Sequence, residues 1–273
     1  MLTQIAKATQ FRALHERQGA FIIPNPWDVG SARLLAHLGF EALATTSGGH
    51  AFSLGQQDGT VGREQVIAHV AALAGATDLP VTADLENGFG GSPETAAETI
   101  RLAAAAGAVG GSIEDVPRHG GGAPYEVAHA AERVRAAAEV GRSLPFSFTL
   151  TARAENYLVG RPDLLDTISR LQAYQEAGAD VLYAPGLISE QDIAAVVRAV
   201  DRPVNVLMGL QGVHLSLAQL SALGVRRVSV GSALARAALG AFLRAAQEMK
   251  EHGTFTFAAD ATSYRDLNTM LGS

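Results

Sequence analysis

Short, almost continuously apolar runs alternate with longer Ala-rich stretches from one end of the chain to the other. Apolar runs of this kind are typical of parallel strands that are buried on both faces. The Ala-rich stretches carry apolar residues at helical spacing, and several end at a glycine, which is a common helix terminator. The alternation therefore predicts a series of β-then-α units.

Eight strands and eight helices follow from this pattern. The predicted strands are Phe21–Pro24, Ala42–Thr46, Pro80–Asp84, Gly110–Glu114, Phe146–Ala152, Val181–Ala184, Val204–Met208 and Arg227–Gly231. The predicted helices lie near Val29–Leu38, Arg63–Ala74, Pro93–Ala106, Pro124–Val140, Pro162–Ala177, Glu190–Ala199, Leu217–Leu223 and Ala233–Lys250.

Eight β/α units favour a closed (β/α)8 barrel (a TIM barrel, fold class α/β), and 273 residues suit one such domain. The alternative is an open, doubly wound sheet, but no G-x-G-x-x-G motif follows the first strand. We predict a single domain over residues 1–273. Residues 252–273 are predicted to be a C-terminal helical extension that is apolar enough to dock on a neighbouring subunit. This predicts a homo-oligomer, a dimer or tetramer.

Composition narrows the classes of partner. The net charge is −6, whereas a nucleic-acid surface needs a basic patch. No apolar stretch has the length of a membrane span, and no secretory signal is visible at the N-terminus, so a cytoplasmic location is the default expectation. We therefore expect neither a nucleic acid nor a membrane as a partner.

Missing residue types exclude several chemistries. The chain has no cysteine, which excludes disulfides, thiolate metal sites and cysteine nucleophiles. Its two lysines, Lys7 and Lys250, lie outside the predicted strands, so a Schiff-base aldolase is excluded. The eight histidines form no H-x-H or H-E-x-x-H pair, which argues against a histidine zinc site.

Acidic residues mark the carboxyl ends of two neighbouring predicted strands, where barrel enzymes carry their catalytic groups. Asp84 and Glu86 are two residues apart and share a face of an extended chain, and Glu114 ends the next strand. Three converging carboxylates repel one another unless a cation neutralises them, and oxygen ligands suit Mg²⁺ or Mn²⁺. The alternative is that these acids are bound by backbone groups or by an arginine.

Two further strand ends carry groups that suit an anion. Arg153 ends the fifth strand, where its guanidinium can hold a carboxylate or phosphonate, or else pair with Glu155 or Glu114. Ser47 and Gly48 offer a hydroxyl and open backbone N–H groups, which suit a substrate carboxylate, although a plain flexible loop explains them equally well.

Six blocks, in order and spacing, resemble the isocitrate lyase/phosphoenolpyruvate mutase family over about residues 21–231. They are Asn25-Pro26-Trp27-Asp28 with Ser31-Ala32, Thr45-Thr46-Ser47-Gly48, Leu54-Gly55-Gln56-Gln57-Asp58, residues 80–90 from Pro80 to Gly90, Ser112-Ile113-Glu114-Asp115, and Thr151-Ala152-Arg153-Ala154-Glu155.

The resemblance implies roles for individual residues. Asp84, Glu86 and Glu114 would hold Mg²⁺ directly or through water. The residues implied in substrate binding or catalysis are Ser47 and Gly48 on a carboxylate, Arg153 on a second anionic or oxo group, Asp58 near the metal, and Trp27 packing on the substrate. Asn205, on the seventh predicted strand, is a further candidate for substrate binding.

The chain departs from the family at two places. Glu86 stands where the family usually has an aspartate. The loop after the fourth strand, residues 116–122, lacks the cysteine of the carbon–carbon lyases and the lysine of the mutase and hydrolase branch. His119 in that loop is the candidate proton donor in place of the cysteine, with a solvated loop residue as the alternative.

The function implied is a Mg²⁺-dependent lyase or decarboxylase. It would cleave a carbon–carbon bond of a small 2-oxo or 2-hydroxy di- or tricarboxylate through a metal-stabilised enolate, with a pyruvate-type product. Two alternatives stay open: a P–C bond enzyme of the phosphonopyruvate hydrolase or phosphoenolpyruvate mutase type, and a non-catalytic barrel that binds a metabolite.

Overall fold

The computed structural model describes residues 2–117 and 122–272. Within them, eight strands form one sheet whose paired neighbours are all parallel. The strands are β1 (Phe21–Ile23), β2 (Leu43–Ala44), β3 (Val81–Asp84), β4 (Gly110–Glu114), β5 (Thr149–Arg153), β6 (Val181–Tyr183), β7 (Val204–Leu207) and β8 (Arg227–Ser229).

The helices lie outside this sheet, and most of them connect one strand to the next. They are α1 (Gln4–Glu16), α2 (Val29–His37), α3 (Ser47–Ser53), α4 (Arg63–Ala76), α5 (Pro93–Ala105), α6 (Val127–Ser143), α7 (Leu164–Ala177), α8 (Glu190–Ala199), α9 (Leu217–Ala222), α10 (Ala233–His252) and α11 (Tyr264–Leu271), with a 3-10 turn at Thr256–Ala259. None of the helices described is long and apolar enough to cross a membrane.

The sheet closes on itself between β1 and β2. The Ala44 N–H donates to the Pro24 carbonyl at 3.1 Å, and the Asn25 side-chain amide donates to the Thr45 carbonyl at 2.9 Å. The predicted (β/α)8 barrel is therefore confirmed, and the open sheet is excluded. The loops after the strands all reach the same end of the barrel.

Two helices were not predicted, α1 and α3, whereas α11 belongs to the predicted C-terminal helical extension. α1 closes the opposite end of the barrel, where Phe11 packs with Phe21 and Val109. α3 begins in the Ser47-Gly48-Gly49 segment, although glycine is a poor helix former. The Thr46 side chain caps this helix by accepting the Gly49 N–H, so a cap and tertiary packing override the low propensity.

The register sets one row of inward-facing residues across five strands. Glu114 pairs with Arg153, Arg153 with Tyr183, Tyr183 with Asn205, and Asn205 with Arg227. Because barrel strands tilt, this row descends. It starts at the last residues of β4 and β5, at the catalytic rim, and ends at the first residue of β8, at the floor.

Candidate active site

Arg153 is the centre of the rim. Its Nη1 lies 3.0 Å from Asp84 Oδ1, its Nη2 lies 3.2 Å from Glu114 Oε2, and its Nε lies 2.8 Å from Glu155 Oε1. The Tyr183 ring covers the guanidinium, with its centroid 5.3 Å from Cζ. The Arg153 guanidinium therefore contacts three carboxylates, at the end of β3, at the end of β4 and just after β5.

Backbone and side-chain contacts fix Asp84 at the end of β3. Its Oδ2 accepts the Ser47 N–H at 3.1 Å, and its own N–H donates to Thr45 Oγ1 at 2.8 Å. Because Ser47 is the first residue of α3, this contact ties the start of that helix to the acidic rim. The predicted carboxylate-binding segment and the predicted metal ligand are thus direct neighbours.

Glu86 is held in an unusual backbone conformation. Its φ is +49°, in the left-handed region that non-glycine residues rarely adopt, and its side chain is buried. The Glu86 carbonyl accepts the Glu114 N–H at 2.9 Å, and the Glu114 carbonyl accepts a hydrogen bond from Arg133 at 3.0 Å. Arg133 also binds the carbonyl groups of Asn87 and Gly90, so this one buried side chain fixes the loops that carry both acids.

The rim holds more negative than positive charge. Burial raises the pKa of Glu114 well above its ordinary value, and repulsion from Glu155, Asp84 and Glu86 raises it further against the opposing effect of Arg153. Burial likewise raises the pKa of Glu155. Burial lowers the pKa of Arg153, but the surrounding carboxylates outweigh this and raise it well above its ordinary value.

Arg153 also sets the spacing of the acids. Among the residues described, no three carboxylate or histidine side chains converge on one point, because the guanidinium lies between Asp84 and Glu114. The chemistry of the donors still fits a hard divalent cation: all are carboxylate oxygens, and their negative charge exceeds that of the single arginine.

A cavity of about 210 Å³ opens beside this cluster, inside the barrel mouth. Of the predicted site residues, Ser47, Gly48, Asp58, Asp84, Arg153 and Asn205 line it. Sequence reasoning missed several polar lining residues: Thr82, Ser112, Tyr183, Arg227 and Ser229. Thr82, Ser112 and Arg227 lie before the ends of their strands, where a search confined to strand ends overlooks them, whereas Tyr183 and Ser229 are the last residues of β6 and β8.

Asp58 and Gly48 meet at the cavity mouth. A Cβ added to Gly48 would lie 3.0 Å from Asp58 Oδ2, so the carboxylate sits directly against the glycine backbone. Only a residue without a side chain allows this approach without displacing Asp58. The structure thus brings these two predicted residues together.

Two further residues singled out in the sequence, Trp27 and Asp115, are not among those that line this cavity. Trp27 lines a separate apolar cavity between α3 and α10, with Leu239 and Phe242. Asp115 points away from the barrel mouth and binds the Tyr174 hydroxyl at 2.6 Å and Arg170 at 3.1 Å. The predicted proton donor His119 lies outside the described residues.

Comparison with known proteins identifies the group to which this barrel belongs. A sequence profile described as phosphoenolpyruvate phosphomutase matches residues 11–250. The chain belongs to this family. The resemblance to the isocitrate lyase/phosphoenolpyruvate mutase superfamily is therefore confirmed, and so is the prediction that the chain is an enzyme of that superfamily, whose members include carbon–carbon lyases.

Individual relatives agree with the fold. A crystal structure of a candidate lyase/mutase from Burkholderia cenocepacia J2315 is 63% identical, with a TM-score of 0.96, over 99% of this chain and 97% of that chain. A 2,3-dimethylmalate lyase from Eubacterium barkeri is 26% identical over 97% of this chain and 94% of the relative. A phosphonopyruvate hydrolase solved with oxalate and Mg²⁺ is 22% identical, covers 99% of this chain and 95% of that chain, and shares the fold with a TM-score of 0.86.

Proposed function

We propose that this protein is a Mg²⁺-dependent lyase or decarboxylase that cleaves a carbon–carbon bond of a small 2-oxo or 2-hydroxy di- or tricarboxylate. One observation carries the proposal: Arg153, Asp84 and the first residues of α3 line one small cavity inside the barrel mouth. A carboxylate that can bind a cation and an arginine that can bind an anion therefore lie on the wall of one cavity.

The residues proposed to hold the metal are Asp84, Glu86 and Glu114, with Mg²⁺ favoured over Mn²⁺. Their oxygen donors and surplus negative charge support this assignment. When bound, the ion would supply Lewis-acid stabilisation of negative charge on a substrate oxygen. The 2,3-dimethylmalate lyase and the Mg²⁺-bound hydrolase are relatives whose names agree with this chemistry.

The chain's own residues divide the remaining work. In a 2-oxo substrate, breaking the bond between C3 and the departing carboxylate releases CO2 and leaves an enolate with negative charge on the oxo oxygen, which the buried Arg153 guanidinium is positioned to stabilise with hydrogen bonds. In a 2-hydroxy substrate, a base removes the hydroxyl proton as the C2–C3 bond breaks, and the carbanion stabilised by the carboxylate on C3 then takes up a proton. Ser47 and Gly48 would hold the adjacent carboxylate, and Asn205 would bind the substrate from the opposite wall of the cavity. Asp58 at the cavity mouth would act near the metal, and His119, which follows β4 in the sequence, is the proposed proton donor.

A P–C bond reaction on a phosphonopyruvate-type substrate is the second candidate, because the matching family profile is named for a phosphomutase. The two candidates differ in the group that must be released. The non-catalytic barrel is no longer a candidate, because the family consists of enzymes.

A substrate panel tests the proposal. Oxaloacetate-type, 2-hydroxy diacid and phosphonopyruvate substrates are incubated with Mg²⁺ or with EDTA, and release of pyruvate-type product is measured. We expect turnover of a carboxylate substrate that EDTA abolishes, and a loss of at least ~100-fold in Asp84→Ala. Metal-independent turnover, or an Asp84→Ala variant with unchanged rate, would exclude the metal-centred reaction.

We also propose that the protein is a homo-oligomer, a dimer or tetramer, in the cytoplasm. Along α10 only Ala235 is buried, whereas Phe242 is 64% and Leu243 is 55% exposed. Ile22 on β1 is 37% exposed, so the described helices cover it only in part. The C-terminal extension was expected to dock on a neighbouring subunit, but α11 contacts α2 of its own chain. We propose instead that a second copy covers α10 and Ile22.

Light scattering of wild-type protein and Phe242→Glu tests this assembly. We expect the variant to shift the mass towards that of one chain. A wild-type protein that is active as a monomer would refute the proposal.

A further inference from the structure

Arg227 is a second buried arginine inside the barrel, at the first position of β8, and its side chain is 4% exposed. Its Nε donates to Asn205 Oδ1 at 2.9 Å, and its Nη2 donates to Thr151 Oγ1 at 2.9 Å. Its Nη1 lies 3.4 Å from His15 Nε2. All three of these partners are neutral groups.

The charge of Arg227 has no acidic partner in the part of the chain that the structure describes. No carboxylate there lies within ion-pair distance of it, although Asp84, Glu114 and Glu155 gather on the neighbouring Arg153. Buried charges in proteins are ordinarily paired because desolvation of an unpaired ion is costly. Burial accordingly lowers the pKa of Arg227 to about 10, and the group stays protonated at neutral pH.

Arg227 nevertheless borders the same cavity as the rim. It lines the cavity together with Asn205, Ser229 and Arg153. The three protein contacts use one N–H on each guanidinium nitrogen, which leaves one N–H on each terminal nitrogen. These remaining N–H groups can donate to a carboxylate.

We propose that Arg227 determines substrate specificity by binding the second carboxylate of the substrate, at the floor of the cavity. The inference rests on the proposed function, since it names the subsite that distinguishes a diacid from a monoacid. The substrate then spans the cavity, with one carboxylate near Ser47 and Gly48 and the other at Arg227. The missing counter-charge of the floor is supplied by the ligand.

A purely structural role is the competing explanation, because the same hydrogen bonds join β8 to β5 and β7. The two explanations differ in what happens when the protein supplies its own counter-charge. Asn205→Asp is nearly isosteric, and its carboxylate can keep the contact with Arg227 Nε and accept from the Ser229 hydroxyl. It should not destabilise the fold under either explanation.

The test compares dissociation constants of malate and lactate, which differ by one carboxylate, in the presence of Mg²⁺. We expect wild-type protein to prefer malate, and Arg227→Met to reduce the malate-to-lactate preference by ~10-fold or more. Asn205→Asp should reduce the preference similarly while its melting temperature stays equal or rises. Arg226→Met is the matched control, because Arg226 binds the Arg17 carbonyl outside the cavity and should leave the preference unchanged.

The preference measured in an Arg227 variant decides between the explanations. If Arg227→Met does not fold, Arg227→Gln is measured in its place, because it removes the charge and keeps a polar side chain. Asn205→Asp alone does not decide the test, because Asn205 is itself a proposed substrate contact. A preference that persists in the Arg227 variant overturns the inference and leaves the proposed function standing. A wild-type protein without preference for malate also overturns it, and the substrate panel then shows separately whether the lyase activity exists.

Discussion

The rim and the floor of this barrel each contain one buried arginine, and the two face opposite electrostatic conditions. Arg153 at the rim contacts three carboxylates within 3.2 Å. Arg227 at the floor contacts an amide oxygen, a hydroxyl and an imidazole. The rim arginine is therefore surrounded by more negative charge than it can neutralise, whereas the floor arginine has only neutral partners.

Because of this difference, one cavity can attract opposite charges at its two ends. Burial, and then repulsion from the neighbouring rim acids, raise the pKa of Glu114, so a cation bound there would stabilise its charged form. The unneutralised guanidinium at the floor stabilises an anion instead. A metal-chelating acid with a second carboxylate fits both ends at once, and this agrees with the proposed substrate class.

Replacing the rim arginine should give the largest effect. Arg153→Met leaves three buried carboxylates without their cation, which we expect to cost roughly 3–5 kcal/mol of unfolding free energy in EDTA. Turnover should fall by ~100- to 1,000-fold, because a preorganised donor to the developing negative charge is lost. Denaturant unfolding and steady-state kinetics measure the two effects.

Arg17→Met is the matched control for this prediction. Arg17 makes a bidentate pair with Glu41 at 2.7 and 2.6 Å, but both side chains are exposed. Its loss should change the unfolding free energy by only about 0–1 kcal/mol and leave turnover unaltered. Equal destabilisation in the two variants would show that the rim cluster is no different from a surface ion pair.

The second prediction concerns the pH dependence of stability and rests on His15, whose Nε2 lies 3.4 Å from Arg227 Nη1 at the floor. Burial first, and then the Arg227 charge, lower the pKa of His15 to about 3. His15 therefore takes up a proton below about pH 6.5 in the unfolded chain, but only near pH 3 in the folded protein. The free energy of unfolding consequently falls as the pH drops from 6.5 towards 3. Between pH 6.5 and 5, wild-type protein should lose ~1.5 kcal/mol relative to His15→Gln.

Parallel denaturation curves at the two pH values measure this difference. His37→Gln, at the exposed end of α2, is the control and should follow the wild-type curve. Wild-type and His15→Gln curves that shift together would show that His15 titrates in the folded protein, and that the floor is less positive than the structure indicates.

The contrast between the two arginines also explains which site residues could be predicted from the sequence and which could not. Asp84 and Arg153 end strands, and parallel barrel strands end together, so their proximity followed from the β/α pattern alone. Arg227 begins a strand, a position where structural roles are the ordinary expectation, and only strand tilt and a long side chain bring it to the cavity. Trp27 is the opposite case. It follows β1 closely in the sequence, but in the structure α3 separates it from the cavity that it was expected to line.

Removing the Glu114 carboxylate from the rim should give the smallest change in stability. The sign of that change tests directly whether the rim carries excess negative charge. The pKa of folded Glu114 lies above its unfolded value, so its ionisation disfavours folding as pH rises above the ordinary carboxyl range. Glu114→Gln should therefore be more stable than wild type at pH 7 in EDTA, by about 1 kcal/mol, and the gain should vanish towards pH 4. Adding Mg²⁺ should favour wild type again, because the variant has lost a ligand. Thermal melts with EDTA and with Mg²⁺ measure this, and a variant less stable in EDTA at pH 7 would mean that Arg153 already balances the rim.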